Sequence, residues 1–130
     1  MAALKVVYLY VGSDDVETDL RFLVDGLGGE LAWHFHEFGA DVAGVRMGKG
    51  PMYIVADHRP AGSVLPIIAV ADLDSAVEGL RAAGFNDAGV TVEVPDGPCT
   101  VLTAPAGNEV GLLQQTRPGA LENERHQRNS

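Results

Sequence analysis

The sequence predicts an α+β fold of two βαβββ modules forming a curved mixed sheet around a cavity, with the helices outside. Three observations carry this reading. A strand-like run, Val6-Val7-Tyr8-Leu9-Tyr10-Val11, precedes a helical stretch from Ser13 to Leu27 and the pair Gly28-Gly29. Halfway along, Leu65-Pro66-Ile67-Ile68-Ala69-Val70 precedes Ala71-Asp72, a helical stretch from Leu73 to Ala83, and Gly84. Each half then continues into further strand-like segments, and such a repeat fixes the architecture before any single element is read. One helix covers only one face of its module's sheet, so pairing two modules leaves a concave cavity between them.

Each element has its own signal. Lys5 to Val11 alternates and is rich in β-branched and aromatic residues. Ser13 or Asp14 is placed to cap the first helix, with Asp14, Asp15 and Glu17 in its first turn, where the dipole favours negative charge. Val16, Leu20, Leu23, Val24 and Leu27 form its buried stripe, and Gly28-Gly29 stops it. Strands follow over Glu30 to Phe38, Val42 to Met47 and Met52 to Ala56, with turns at Gly39-Ala40-Asp41 and Gly48-Lys49-Gly50-Pro51. His58 to Ser63 links the modules. In the second module Val64 to Val70 is a strand, Asp72 caps the helix, and Leu73, Ala76, Val77 and Leu80 form its stripe. Strands over Val90 to Val94, Cys99 to Thr103 and Glu109 to Gln115 complete it, with turns at Asp96-Gly97-Pro98 and Pro105 to Asn108. One domain is expected over 1–116, from modules at about 4–57 and 64–116. Residues 117–130 mix charges without apolar periodicity and read as a disordered tail.

Composition narrows the function classes. With 9 Lys and Arg against 18 Asp and Glu, the net charge is −9, which supplies no basic surface for nucleic acid or an anionic membrane. The longest apolar run, Val64 to Ala71, falls far short of the roughly 20 residues that span a bilayer. Met1 to Lys5 carries one basic residue and no long apolar stretch, so no secretory signal is expected and the cytoplasm is the simplest home. The lone Cys99 excludes an internal disulfide and reads as a small buried hydrophobe.

Four segments carry a family resemblance: Val11-Gly12-Ser13-Asp14, Val70-Ala71-Asp72, Leu27-Gly28-Gly29-Glu30-Leu31, and Ala104-Pro105-Ala106-Gly107-Asn108-Glu109-Val110-Gly111-Leu112. In this order and spacing, over residues 4 to about 116, the chain resembles the vicinal oxygen chelate superfamily of glyoxalases, extradiol dioxygenases and bleomycin-resistance proteins. The last segment is similar to the family's DPxGNxxEL stretch, with Ala104 where Asp is usual. In metal-dependent members a His or Gln begins the first strand of each module and a carboxylate lies on the last. Carried over, those positions are Val6, Leu65, about Tyr53 or Val55, and Gly111, none of which ligates a divalent ion. The resemblance therefore implies no metal and no cofactor, as in the bleomycin-resistance members that bind a drug without transforming it. It also implies a homodimer with cavities between chains.

Alternation sorts the faces of the strands. Val7, Leu9 and Val11 are expected toward the helix, with Val6, Tyr8 and Tyr10 toward the cavity. Pro66, Ile68 and Val70 likewise face the helix, with Leu65, Ile67 and Ala69 inward. On the last strand Val110 and Leu112 face the helix, with Glu109, Gly111 and Leu113 inward. The more apolar Met52, Ile54 and Ala56 are assigned to the helix, leaving Tyr53 and Val55 inward. Trp33 and Phe35 share one face of their strand, and His34, His36 and Phe38 the other; periodicity leaves open which is inward. Met47 reads as core filler or as an adaptable ligand contact.

The expected ligand set is Tyr8, Tyr10, Trp33, His36, Phe38, Met47, Tyr53, Glu109 and Leu113, with no catalytic and no metal-binding residue. The ligand is hydrophobic or aromatic, most concretely an antibiotic-type natural product captured stoichiometrically. The alternative is a superfamily enzyme (lyase, isomerase or dioxygenase) with a non-standard site around His34, His36, Glu37 or Glu109. His34 and His36 at i, i+2 form a possible chelate if Glu37 or His58 supplies a third ligand. A cofactor-free enzyme using a tyrosine or His36 as general acid or base is a further reading.

Overall fold

The computed structural model describes residues 4–37 and 39–117. The element order is β1 (Lys5–Gly12), α1 (Val16–Leu20, continued as a wider helix over Arg21–Gly26), β2 (Glu30–Glu37), β3 (Ala40–Arg46) and β4 (Met52–Ala56), then β5 (Val64–Ala69), α2 (Leu73–Ala82), β6 (Asn86–Val94), β7 (Gly97–Thr103) and β8 (Glu109–Leu113). This is the expected α+β order, βαβββ twice. The described residues form two compact units, one over Val7–Leu65 and one over Pro66–Arg117 together with Leu4–Val6.

Both units repeat one topology. In the first, β1 pairs in parallel with β4, and β3 lies antiparallel between β4 and β2. In the second, β5 pairs in parallel with β8, and β7 lies antiparallel between β8 and β6. A parallel pair needs a crossover connection, and in each unit the helix lies on the path between its two strands.

Each helix buries one stripe against its own sheet. Val16, Leu20 and Leu23 pack with Ala43, Val45 and Val55, flanked by Val24, Met47 and Tyr53. Leu73 and Val77 pack with Leu102 and Leu112, flanked by Ile68, Val70, Ala76, Leu80, Phe85 and Val110. The second unit thus has the faces alternation predicts. In β4 they are reversed: Tyr53 and Val55 face α1, and Met52, Ile54 and Ala56 face away. Every one of these β4 residues except Tyr53 is buried, so hydrophobicity gave no contrast between its faces.

The first helix departs from the expected stripe at its end. Leu27 donates its N–H to Phe22 O at 3.1 Å, an i→i−5 bond, and Leu27 is 59% exposed. The wider turn rotates Leu27 away from the face that Leu20 and Leu23 bury. Asp15 is the N-cap, accepting from Thr18 N–H; this is one residue beyond the expected Ser13 or Asp14. Asp72 caps α2 as expected, accepting from Ser75 N–H.

Several boundaries shift. β3 starts at Ala40 rather than Val42, and β6 at Asn86 rather than Val90. β7 starts at Gly97, so Gly97 and Pro98 are strand residues rather than turn. Arg117, placed in the tail, is tied down: its Nε donates to Pro95 O at 2.7 Å and its N–H to Asp96 O at 2.9 Å. The rest of the expected tail lies outside the described residues, and none of the described helices is long and apolar enough to cross a membrane.

Candidate functional site

One residue decides what the sheet of the first unit presents. Between Leu31, opposite Val45, and Trp33, opposite Gly44, β2 carries one residue more than β3, a β-bulge at Ala32. The bulge reverses the alternation of β2 beyond it. Trp33 and Phe35 join the face turned away from α1, while His34 and His36 fall on the helix side.

The face away from α1 is a row running straight across four strands. Tyr10 lies opposite Ile54, Ile54 opposite Gly44, and Gly44 opposite Trp33. At about 4.8 Å per strand the row spans roughly 14 Å. Tyr8 and Met52 form the neighbouring pair on one side, and Phe35 and Val42 on the other. Trp33 stacks on Phe35 with centroids 5.0 Å apart and planes 17° apart. Gly44 makes room for the indole, because a Cβ there would fall 2.4 Å from Trp33 Cε2. Trp33 is 4% exposed, and its Nε1 is buried with no hydrogen-bond partner among the described residues. Buried indole N–H groups ordinarily find an acceptor, so this one calls for an explanation.

At the other end of the row, Tyr10 Oη lies 2.9 Å from His58 Nε2, with the rings edge to face. Burial pushes the Tyr10 phenol up from its ordinary value, with Arg59 acting in the opposite direction.

The nominated ligand residues therefore separate. Tyr8, Tyr10 and Trp33 come together. Tyr53 and Met47 belong to the helix-side core instead, through the reversed face of β4 and the packing of β3 on α1. His36 sits on the helix side of the β2–β3 hairpin, set there by the bulge, beside His34 and Asp41. Glu109 and Leu113 lie in the second unit, Glu109 exposed and Leu113 buried. Phe38 lies outside the described residues. Phe35, Met52, Ile54 and His58 were missed as members of this face or its rim.

A groove of about 470 Å³ lies on the helix side, where Tyr53, Val55, Leu23 and Phe22 meet Ser13, Asp15 and Asp19. Several of its polar groups are engaged within the chain: Asp15 caps α1, and Ser13 Oγ donates to Asp19 Oδ2. Hydrogen bonds from Thr18 hold the Asp15 carboxyl below its ordinary value.

The metal positions of the resemblance do not fit a divalent ion. On the Tyr8 and Tyr10 face, β4 offers Met52, Ile54 and Ala56, not the Tyr53 or Val55 expected there, and all three are apolar. On β8, Gly111 pairs with Ile67, and Glu109 at the strand's start is exposed.

No family model and no curated protein matches the chain. Solved structures do. A hypothetical protein from Bacillus halodurans C-125 superposes with a TM-score of 0.74 at 12% identity, over 89% of this chain and 97% of that one. Methylmalonyl-CoA epimerase from Mycobacterium tuberculosis gives 0.70 at 14%, over 93% and 97%. A glyoxalase/bleomycin resistance protein/dioxygenase superfamily member from Vibrio splendidus 12B01 gives 0.64 at 18%, over 86% and 99%.

Proposed function

From the vicinal oxygen chelate fold that this chain shares with those structures, we propose a small-molecule binding protein whose ligand site uses no metal. The fold serves catalysis in some proteins and drug binding in others, so the residues of the site must decide. The observation that carries the reading is Trp33: a buried, stacked indole whose N–H has no acceptor among the described residues, on a face with Tyr8, Tyr10 and Phe35. A flat hydrophobic ligand with one acceptor atom satisfies that N–H and stacks on the rings. Antibiotic-type natural products have this character, and capture of one molecule per site gives resistance by sequestration. Tight capture requires the site to bury most of the ligand. A homodimer in the cytoplasm belongs to the same proposal, and native mass spectrometry tests the dimer.

The test uses chelator-treated protein and a panel of aromatic natural products. Trp33 is the sole tryptophan, so its emission reports this face alone. Saturable quenching with a raised melting temperature, and unchanged ligand on recovery, supports the proposal. No response across the panel refutes it.

A second reading has one observation in its favour. The contact between Tyr10 Oη and His58 Nε2 is an acid–base pair at one end of the aromatic row. Recovery of a converted ligand, lost in Tyr10→Phe, favours a cofactor-free enzyme over a binding protein.

A further inference from the structure

The β2–β3 hairpin carries three side chains that neither the helix core nor the aromatic face uses. His36 and Asp41 are direct cross-strand partners, and His34 stands two residues earlier on the same face. His34 Nε2 lies 2.5 Å and His36 Nδ1 3.3 Å from the same oxygen, Asp41 Oδ1. The imidazole rings are 4.3 Å apart, and the three donor atoms all lie within 4.8 Å of one another. Neither Glu37 nor His58 is needed as a third ligand, since Asp41 takes that place.

Two imidazoles and one carboxylate suit borderline divalent ions such as Zn²⁺, Co²⁺ and Ni²⁺. With metal–ligand bonds of about 2.0–2.2 Å, the edge of a tetrahedron is about 3.3 Å. The His36–Asp41 edge already has this length, and the His34–Asp41 edge must open by roughly 0.8 Å. Asp41 is held ready. Its N–H donates to Asp57 Oδ1 at 3.0 Å, and its carbonyl accepts from Asp57 N–H at 3.1 Å. His34 and Asp41 are about four-fifths buried, while His36 is 63% exposed, which leaves the fourth position open to solvent.

We infer that this hairpin binds one divalent transition-metal ion through His34, His36 and Asp41, with solvent completing the shell. The site lies on the opposite face of the sheet from Trp33 and is independent of the aromatic ligand. The full-length chain is stripped with chelator and titrated with Co²⁺, followed by visible absorption, and with Zn²⁺, followed by calorimetry. The expected result is one ion per chain with the intense bands of low-coordinate Co²⁺. His36→Gln, at an exposed position, and Asp41→Asn each weaken binding by about tenfold or more. His126→Gln leaves it unchanged. Absence of saturable uptake, uptake unaffected by His36→Gln, or uptake lost in His126→Gln overturns the inference.

Discussion

Replacing Gly44 with alanine puts the aromatic row to a quantitative test. The added carbon would lie 2.4 Å from Trp33 Cε2, 2.6 Å from Cζ2 and 2.8 Å from Nε1. Carbon atoms pack at about 3.5–4.0 Å, so the indole must retreat by roughly 1 Å. It has little room, being 4% exposed and stacked on Phe35. Overpacking of this kind costs about 1–3 kcal/mol, offset by about 0.5–1 kcal/mol because alanine suits a strand better than glycine. The net loss is about 1–2 kcal/mol, a fall of roughly 5 °C in melting temperature for a chain of this length. The clash disappears without the indole. In a Trp33→Ala background the same substitution should therefore be neutral or stabilise by about 0.5–1 kcal/mol. Thermal melts of the four proteins give the coupling directly. A Gly44→Ala protein melting within about 1 °C of the parent with unchanged tryptophan emission would refute the reasoning, as would equal effects in both backgrounds.

Other outcomes follow from the cores and caps. Leu102 is fully buried among Leu73, Val77 and Leu112; Leu102→Ala should cost about 2–5 kcal/mol, read from urea midpoints. Asp72→Ala removes both acceptors of Ser75 at the start of α2 and should cost about 1 kcal/mol. Burial pushes the Cys99 thiol up from 9.0 to about 11, so a thiol reagent at pH 8 should label it slowly when folded and at once in denaturant. The folded chain keeps that proton through a window where the unfolded chain has lost it. Stability therefore falls as pH climbs from 9.0 toward about 11, and Cys99→Ala removes that part of the decline while any part from Tyr10 remains.

Much of this was legible in the residues. Period 3.6 located both helices and Asp72 the start of α2, and period 2 in β5 and β8 sorted Ile68, Val70, Val110 and Leu112 correctly toward α2. The failures have local causes. In β4 both faces are buried, so no polar residue marks an outside. On β2 the bulge at Ala32 leaves no sequence signal, yet it alone chooses between Trp33 and the histidines for the face away from α1. Asp41 was hidden by reading Gly39 to Asp41 as the turn. Glu37 pairs with Ala40, so Ala40 and Asp41 belong to the strand and Asp41 falls opposite His36. Gly39 itself takes the left-handed conformation, φ 76°, that a tight turn asks of glycine.

The wide turn at the end of the first helix bears on how this chain tolerates changes of length. A turn closed by i→i−5 bonds houses one residue more than the α turn it replaces. Deleting one residue within Arg21–Gly26 lets an ordinary turn form and swings Leu27 back toward the side that Leu20 and Leu23 occupy. The regular α2 holds no such slack. A single deletion there turns every later side chain by about 100°, taking Val77 and Leu80 off Leu102 and Leu112. The two halves share a topology, but only the first carries a spare residue in its helix.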